Sequence, residues 1–123
     1  MIIRNGFEQA IAADNPNVRI TNILLYIFNA LQDDQAFWEL FYSLRSQPAV
    51  MAVLGDDFRS WTGELLDLLT VNLREAGWAE PEVEALVLFS LIEGTILQYL
   101  LDPSSYPLDT IVGRILERYS KGP

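Results

Sequence analysis

Residues 85–101 are apolar on two opposite sides of the helix they can form, and no other feature of this chain restricts its fold as much. At about 100° per residue, Val83, Val87, Ser90, Gly94, Leu97 and Leu101 fall on one stripe. Ala85, Phe89, Ile92, Ile96 and Tyr99 fall on nearly the opposite one. Glu82 and Glu93 lie in one seam between the stripes, and Glu84, Thr95, Gln98 and Asp102 in the other. A helix apolar on one side needs one cover, whereas this one needs two. The second cover is either another part of the same chain or a second chain. In 123 residues few helices remain to enclose a central one completely, so a subunit interface is the favoured expectation. Ser90 and Gly94, one turn apart, let another backbone approach closely.

The rest of the chain is punctuated as a series of helices. Asn15 followed by Pro16 is an N-cap with proline in the first turn, and Ile20, Ile23, Leu24, Ile27, Phe28 and Leu31 then recur at helical spacing to about Gln32. Asp33 or Asp34 caps a second helix carrying Phe37, Leu40, Phe41 and Leu44. Pro48 opens a longer segment with Val50, Leu54, Phe58, Trp61, Leu65, Leu68 and Leu69 on one side, and Gly77 is placed to end it. Gly55 and Gly63 argue for an interruption within that run. Pro81 begins the two-faced helix and Pro103 stops it after Asp102. Pro107 begins a last helix with Leu108, Ile111, Val112, Ile115, Leu116 and Tyr119 in one stripe. A weakly patterned helix is expected over residues 3–13. No window alternates with period two, and Asn5-Gly6 is too near the terminus to turn a hairpin. The expected fold is all-α, a bundle of about six helices in one domain over residues 1–123. Its last two helices, paired with those of a second copy, form a four-helix interface of twofold symmetry.

Composition removes most chemistries. The chain has no Cys and no His, so thiolate zinc sites, Cys nucleophiles, Ser-His-Asp triads, His-ligated haem and Glu-x-x-His di-iron sites all lack an obligatory residue. No metal or other cofactor is expected. Eight Lys and Arg against 17 Asp and Glu give a net charge of -9, which disfavours both nucleic acid and an anionic membrane surface. Absence of disulfides and of a secretory leader pattern leads to a cytoplasmic expectation. Residues 85–101 come nearest to a bilayer span, and Glu93, Ser90, Gly94, Thr95 and Gln98 interrupt them.

A resemblance adds to this reading. The run Leu91-Ile92-Glu93-Gly94-Thr95-Ile96-Leu97-Gln98-Tyr99-Leu100-Leu101, then Asp102-Pro103 and Tyr106-Pro107-Leu108 before a helix ending Leu116-Glu117-Arg118-Tyr119, resembles the C-terminal end of TetR/AcrR-family transcriptional regulators. Residues 20–31, Phe37-Trp38 to Leu44, Pro48 and the turn Arg74-Glu75-Ala76-Gly77-Trp78 are similar to the ligand-binding core that precedes it there. The family normally begins with a three-helix DNA-binding unit containing a helix-turn-helix. None is found before Asn15, and residues 1–13 are too short to hold one. The resemblance therefore implies an effector-binding and homodimerisation domain that controls DNA binding by a separate N-terminal unit, with no nucleic-acid or membrane contact of its own.

On that resemblance, the implied effector site is a mostly apolar pocket of Phe28, Trp38, Phe41, Phe58, Trp61, Leu65, Phe89, Ile92, Ile96 and Tyr99, with Asn29, Thr62, Glu93 or Gln98 as polar anchors. Its ligand is a small hydrophobic molecule, cationic if Glu93 faces the cavity. Taken singly, each aromatic is as well explained by core packing, and Glu93 by reaching solvent between the stripes or pairing with Arg59 or Arg74. The implied interface comprises Val87, Ser90, Gly94, Leu97, Leu101, Leu108, Ile111, Ile115 and Tyr119. Two other functions compete. Glu64 and Asp67, three apart, can hold magnesium as in all-helical nucleotide pyrophosphohydrolases, though no second acidic pair follows at Glu82 or Glu93. A helical interaction module without a small-molecule ligand instead docks the two-faced helix on a different protein.

Overall fold

A computed structural model describes residues 7–123. Residues 7–10 are helical, and five helices follow: α1 (Pro16–Asp33), α2 (Gln35–Arg45), α3 (Pro48–Glu75), α4 (Pro81–Leu101) and α5 (Leu108–Tyr119). Among the described residues there is no strand. The helix expected over residues 3–13 is seen only from Phe7, its earlier part lying outside the described residues.

Local chemistry explains the boundaries. The Asn15 side chain accepts the amide of Asn17 at 2.8 Å, and Pro16 supplies a first-turn residue that has no amide to satisfy. Asp34, not Asp33, caps α2 by accepting the Phe37 amide at 3.2 Å. α3 ends in paired reverse hydrogen bonds, Trp78 amide to Leu73 carbonyl at 3.1 Å and Gly77 amide to Arg74 carbonyl at 3.0 Å. That closure requires a left-handed residue, which Gly77 supplies at φ 97°. The interruption expected at Gly55 and Gly63 does not occur, and α3 is one helix of 28 residues. A helix this long, packed along one side, tolerates two glycines, each costing about 1 kcal/mol relative to alanine. Pro107 occupies the cap position of α5, so that helix starts one residue later than the proline suggested.

α1 is the central element. Its Ile20, Ile23, Leu24, Ile27, Phe28 and Leu31 are all buried, and they form one core with Leu69 and Leu73 of α3, Ala85, Leu88, Ile92 and Ile96 of α4, and Leu108, Val112, Ile115 and Tyr119 of α5. Polar ties fix the helices' relative positions. Arg19 donates to Asn72 Oδ1 at 3.2 Å and to Glu75 at 2.5 Å, joining α1 to the end of α3. Asn72 is itself buried and donates to the Leu68 carbonyl at 2.8 Å. α2 is different, because none of its residues is fully buried.

α4 passes the length and composition of a membrane span as one unbroken helix of 21 residues. This corrects the expectation that its polar residues take it out of that class. Thr95 is also corrected: it is buried rather than in a polar seam, because its hydroxyl donates to the Leu91 carbonyl at 2.6 Å.

Truncation should separate core from surface. Leu88→Ala, at a fully buried α4 position, should lower unfolding free energy by about 2–5 kcal/mol. Val53→Ala, 79% exposed on α3, should change it by less than about 0.5 kcal/mol. Urea titrations at one protein concentration read both, and similar losses would mean that α4 does not form the core.

Candidate functional site

α2 places four aromatic rings, Phe37, Trp38, Phe41 and Tyr42, on neighbouring positions, and Phe41 turns toward α3. Phe41 meets Phe58 edge-on at 5.4 Å between centroids, and Phe58 meets Trp61 at 5.4 Å and 90°. Within α2, Trp38 meets Phe41 at 6.1 Å and lies nearly parallel to Tyr42 at 6.5 Å. The result is a continuous aromatic wedge, since ring edges prefer ring faces at these separations. Its inner end, Trp38 and Tyr42, rests on the main core, while Phe37 and Trp61 reach the surface.

A charged pair closes the inner end. Arg45, in the last turn of α2, donates to Glu93 of α4 at 2.6 Å, and its guanidinium lies over the Tyr42 ring at 4.7 Å. Side-chain exposure is 30% for Arg45 and 20% for Glu93, so water reaches the pair only in part. The Tyr42 hydroxyl is pushed well above its ordinary range, first by burial and then by the negative charge of the nearby Glu93 carboxylate. Glu93 thus neither reaches solvent freely nor pairs with Arg59 or Arg74, which bind Asp56 and Glu82. Arg45 is the partner that spacing along one helix does not reveal, because the two residues are 48 apart in sequence.

The ten residues assigned to a pocket do not line one cavity. Phe28, Ile92 and Ile96 fill the main core. Trp38, Leu65 and Tyr99 are half-buried against it, and Phe89 is half-buried on α4. Phe41, Phe58 and Trp61 pack on one another in the wedge. A bundle this small meets the cost of voids by filling itself with its own rings. Two open spaces border the bundle, and of the ten only Phe28 and Tyr99 line them. A cleft of about 230 Å³ between α1 and α5 is lined by Leu25, Phe28, Asn29, Gln32 and Gly113 among others. A groove of about 400 Å³ runs past Tyr99, Pro103 and Tyr106. Phe37, Tyr42 and Arg45 belong to the wedge and were missed. Tyr42 stands four residues after Trp38, and Arg45 three after Tyr42, so their shared face was readable in principle.

The outward stripe of α4 is exposed. Val83, Leu86, Val87, Leu97 and Leu101 are all exposed, Leu101 at 86%, with Ser90 exposed and Gly94 half-buried among them. No neighbouring atom lies within 4 Å of a β-carbon built on Gly94. α5 departs from its expected role. Leu108, Ile115 and Tyr119, assigned to a subunit interface, are buried within the protomer because the α5 stripe turns inward onto α1 and α4. Ile111 remains half-buried. Tyr119 donates to Glu84 at 2.6 Å, and Arg118 donates to the same carboxylate at 3.1 Å. Glu84 is therefore a structural acceptor rather than a solvating charge.

Glu64 and Asp67 are both exposed, and among the described residues no group of three or more metal-binding side chains gathers anywhere. A family model described as tetracyclin repressor-like, C-terminal domain, matches residues 26–121. No curated protein and no solved structure gives a significant match.

The two anchored tyrosines predict an alkaline limit to stability. Burial, then the bond to Glu84, pushes Tyr119 from the usual 10 to about 12. The folded chain thus holds this proton more tightly than the unfolded chain. The resulting stabilisation is complete below pH 10 and is lost as pH rises through about 12. The urea midpoint of the wild type should exceed that of Tyr119→Phe at pH 9, and the gap should narrow by pH 12. A gap constant with pH would mean that Glu84 does not hold the proton on Tyr119.

Proposed function

The chain belongs to the tetracyclin repressor-like C-terminal domain family, and from that premise we propose that it is the effector-binding and homodimerisation domain of a transcriptional regulator. The observation that carries this reading is the exposed outward stripe of α4, which has Gly94 open at its middle. Burying Leu97 and Leu101 against a twofold-related α4 removes apolar surface worth roughly 25 cal/mol per Å² from water. The stripe is self-complementary along one helix, as an isologous contact requires. Since α5 turns its apolar side inward, α4 supplies most of the apolar contact and α5 contributes from Ile111 outward.

The effector part of the reading places a small hydrophobic ligand at the aromatic wedge. α2 forms one wall of that wedge and contributes nothing to the fully buried core, so it can shift at the least cost in packing. A ligand that inserts between α2 and α3 rings favours one placement of α2 over another, and only that difference in affinity moves the equilibrium. The Arg45–Glu93 pair carries the movement to α4, and α4 to the partner copy. DNA-binding units joined to the two copies then change their separation.

Sedimentation equilibrium at micromolar concentration should report a dimer. Leu97→Glu should produce a monomer with unchanged helical circular dichroism, because a carboxylate at a dry interface cannot be solvated. A monomeric wild type, or a wild type that partitions onto neutral lipid vesicles instead of pairing, overturns the interface. For the effector, Nile red should bind with quenching of tryptophan emission, and Phe58→Ala should weaken it roughly 2- to 10-fold, the equivalent of about 0.5–1.5 kcal/mol from one ring pair. Nile red binding that is indifferent to Phe58→Ala removes the wedge as its site.

A further inference from the structure

We infer that the face of Tyr42 and the carboxylate of Glu93 form a binding site for an organic cation, occupied in this structure by the chain's own Arg45, so that an aromatic cation binds by displacing that side chain. The signalling role of the site rests on the effector reading above, and the inference deepens it by naming the ligand's chemical class.

The geometry is that of a cation receptor. A guanidinium lies 4.7 Å from the Tyr42 ring centroid while one of its nitrogens donates to Glu93 at 2.6 Å. A ring face and a partly desolvated carboxylate converging on one point are the two groups that recognise an ammonium, amidinium or guanidinium. Burial and the nearby carboxylate keep the Tyr42 hydroxyl protonated, so the ring stays neutral. The other arginines whose ion pairs are known are engaged elsewhere: Arg19 with Glu75, Arg59 with Asp56, Arg74 with Glu82 and Arg118 with Glu84.

Arg45 is a replaceable occupant. It ends α2, is followed by the exposed turn residues Ser46 and Gln47, and is itself 30% exposed, so it can swing into water without unpacking the core. The Trp38 ring lies nearly parallel to Tyr42 at 6.5 Å. A net charge of -9 raises the local concentration of any cation at the protein. Displacement also has a structural consequence. It severs the Arg45–Glu93 tie between α2 and α4 and replaces it with a ligand bound to Glu93, so occupancy is registered on the helix that carries the outward stripe.

Calorimetric titration of the whole chain with benzamidine, an aromatic amidinium, and with neutral benzamide tests this. Arg45→Ala should bind benzamidine at least tenfold more tightly than the wild type, because the competing guanidinium is gone, while benzamide affinity changes little. Adding Glu93→Gln should abolish the gain. Arg45→Gln, which keeps most of the side-chain stem, should show the same order and serves if Arg45→Ala loses its helical circular dichroism. Equal benzamidine affinity with and without Arg45, or a gain that survives Glu93→Gln, overturns the inference. In the same preparations Nile red separates the two readings. If Nile red binds the wedge but benzamidine gains nothing, only the cation site fails. A Glu93-dependent benzamidine gain without Nile red binding supports the cation site and removes its effector role.

Discussion

Everything in this fold follows from the need to cover α4. One side, built on Ala85, Leu88, Ile92 and Ile96, joins the single core through which α1, α3, α4 and α5 hold one another. α1 provides six of the core side chains and lies at its centre, so the other helices are placed by contact with it. Once that side is satisfied, no helix among the described residues covers the other, where Val83, Leu86, Val87, Leu97 and Leu101 are exposed. The bundle therefore closes one core and leaves an apolar face open, the surface on which the proposed pairing rests.

Polar groups then set positions that apolar contact leaves loose. Hydrophobic burial is non-directional, and a helix can slide or turn on a greasy face at modest cost. Arg19 with Asn72 and Glu75 pins α1 to the end of α3, and Glu84 with Tyr119 and Arg118 pins α4 to α5. Arg45 with Glu93 pins α2 to α4. The last tie differs from the others because α2 has no fully buried residue and is otherwise held by half-buried rings. Partly buried pairs of this kind contribute little net stability against well-packed apolar residues. In this chain the pair sets the placement of a weakly held helix that carries four aromatic rings.

The aromatic wedge shows where a sequence reading of a site succeeds and where it fails. The family resemblance groups Trp38, Phe41, Phe58 and Trp61 in one site, and they do come together, as a packed wedge. Phe28, Ile92 and Ile96 were grouped with them by the same criterion, yet they belong to the main core. Size and periodicity report that a side chain is buried, not which of two adjacent clusters buries it. The interface assignment divides in the same way. Val87, Leu97 and Leu101 are exposed, while Leu108, Ile115 and Tyr119, apolar and equally periodic, are enclosed. A single apolar stripe is satisfied by any cover, and the covering helix in the protomer claims it first.

The sequence by itself determined the class of structure: α-helices started by Asn15-Pro16, Asp33 or Asp34, Pro48 and Pro81 and stopped by Gly77 and Pro103. These are local matters of caps, dihedral freedom and missing amides, fixed within a few residues of chain. It also determined that α4 has two apolar faces, because that depends only on helical periodicity. Only the tertiary structure decided which face turns outward, that α5 spends its stripe inside the protomer, and that Arg45 reaches Glu93 across 48 residues. Those outcomes depend on which surfaces compete for the same cover, and that competition exists only after the helices have met.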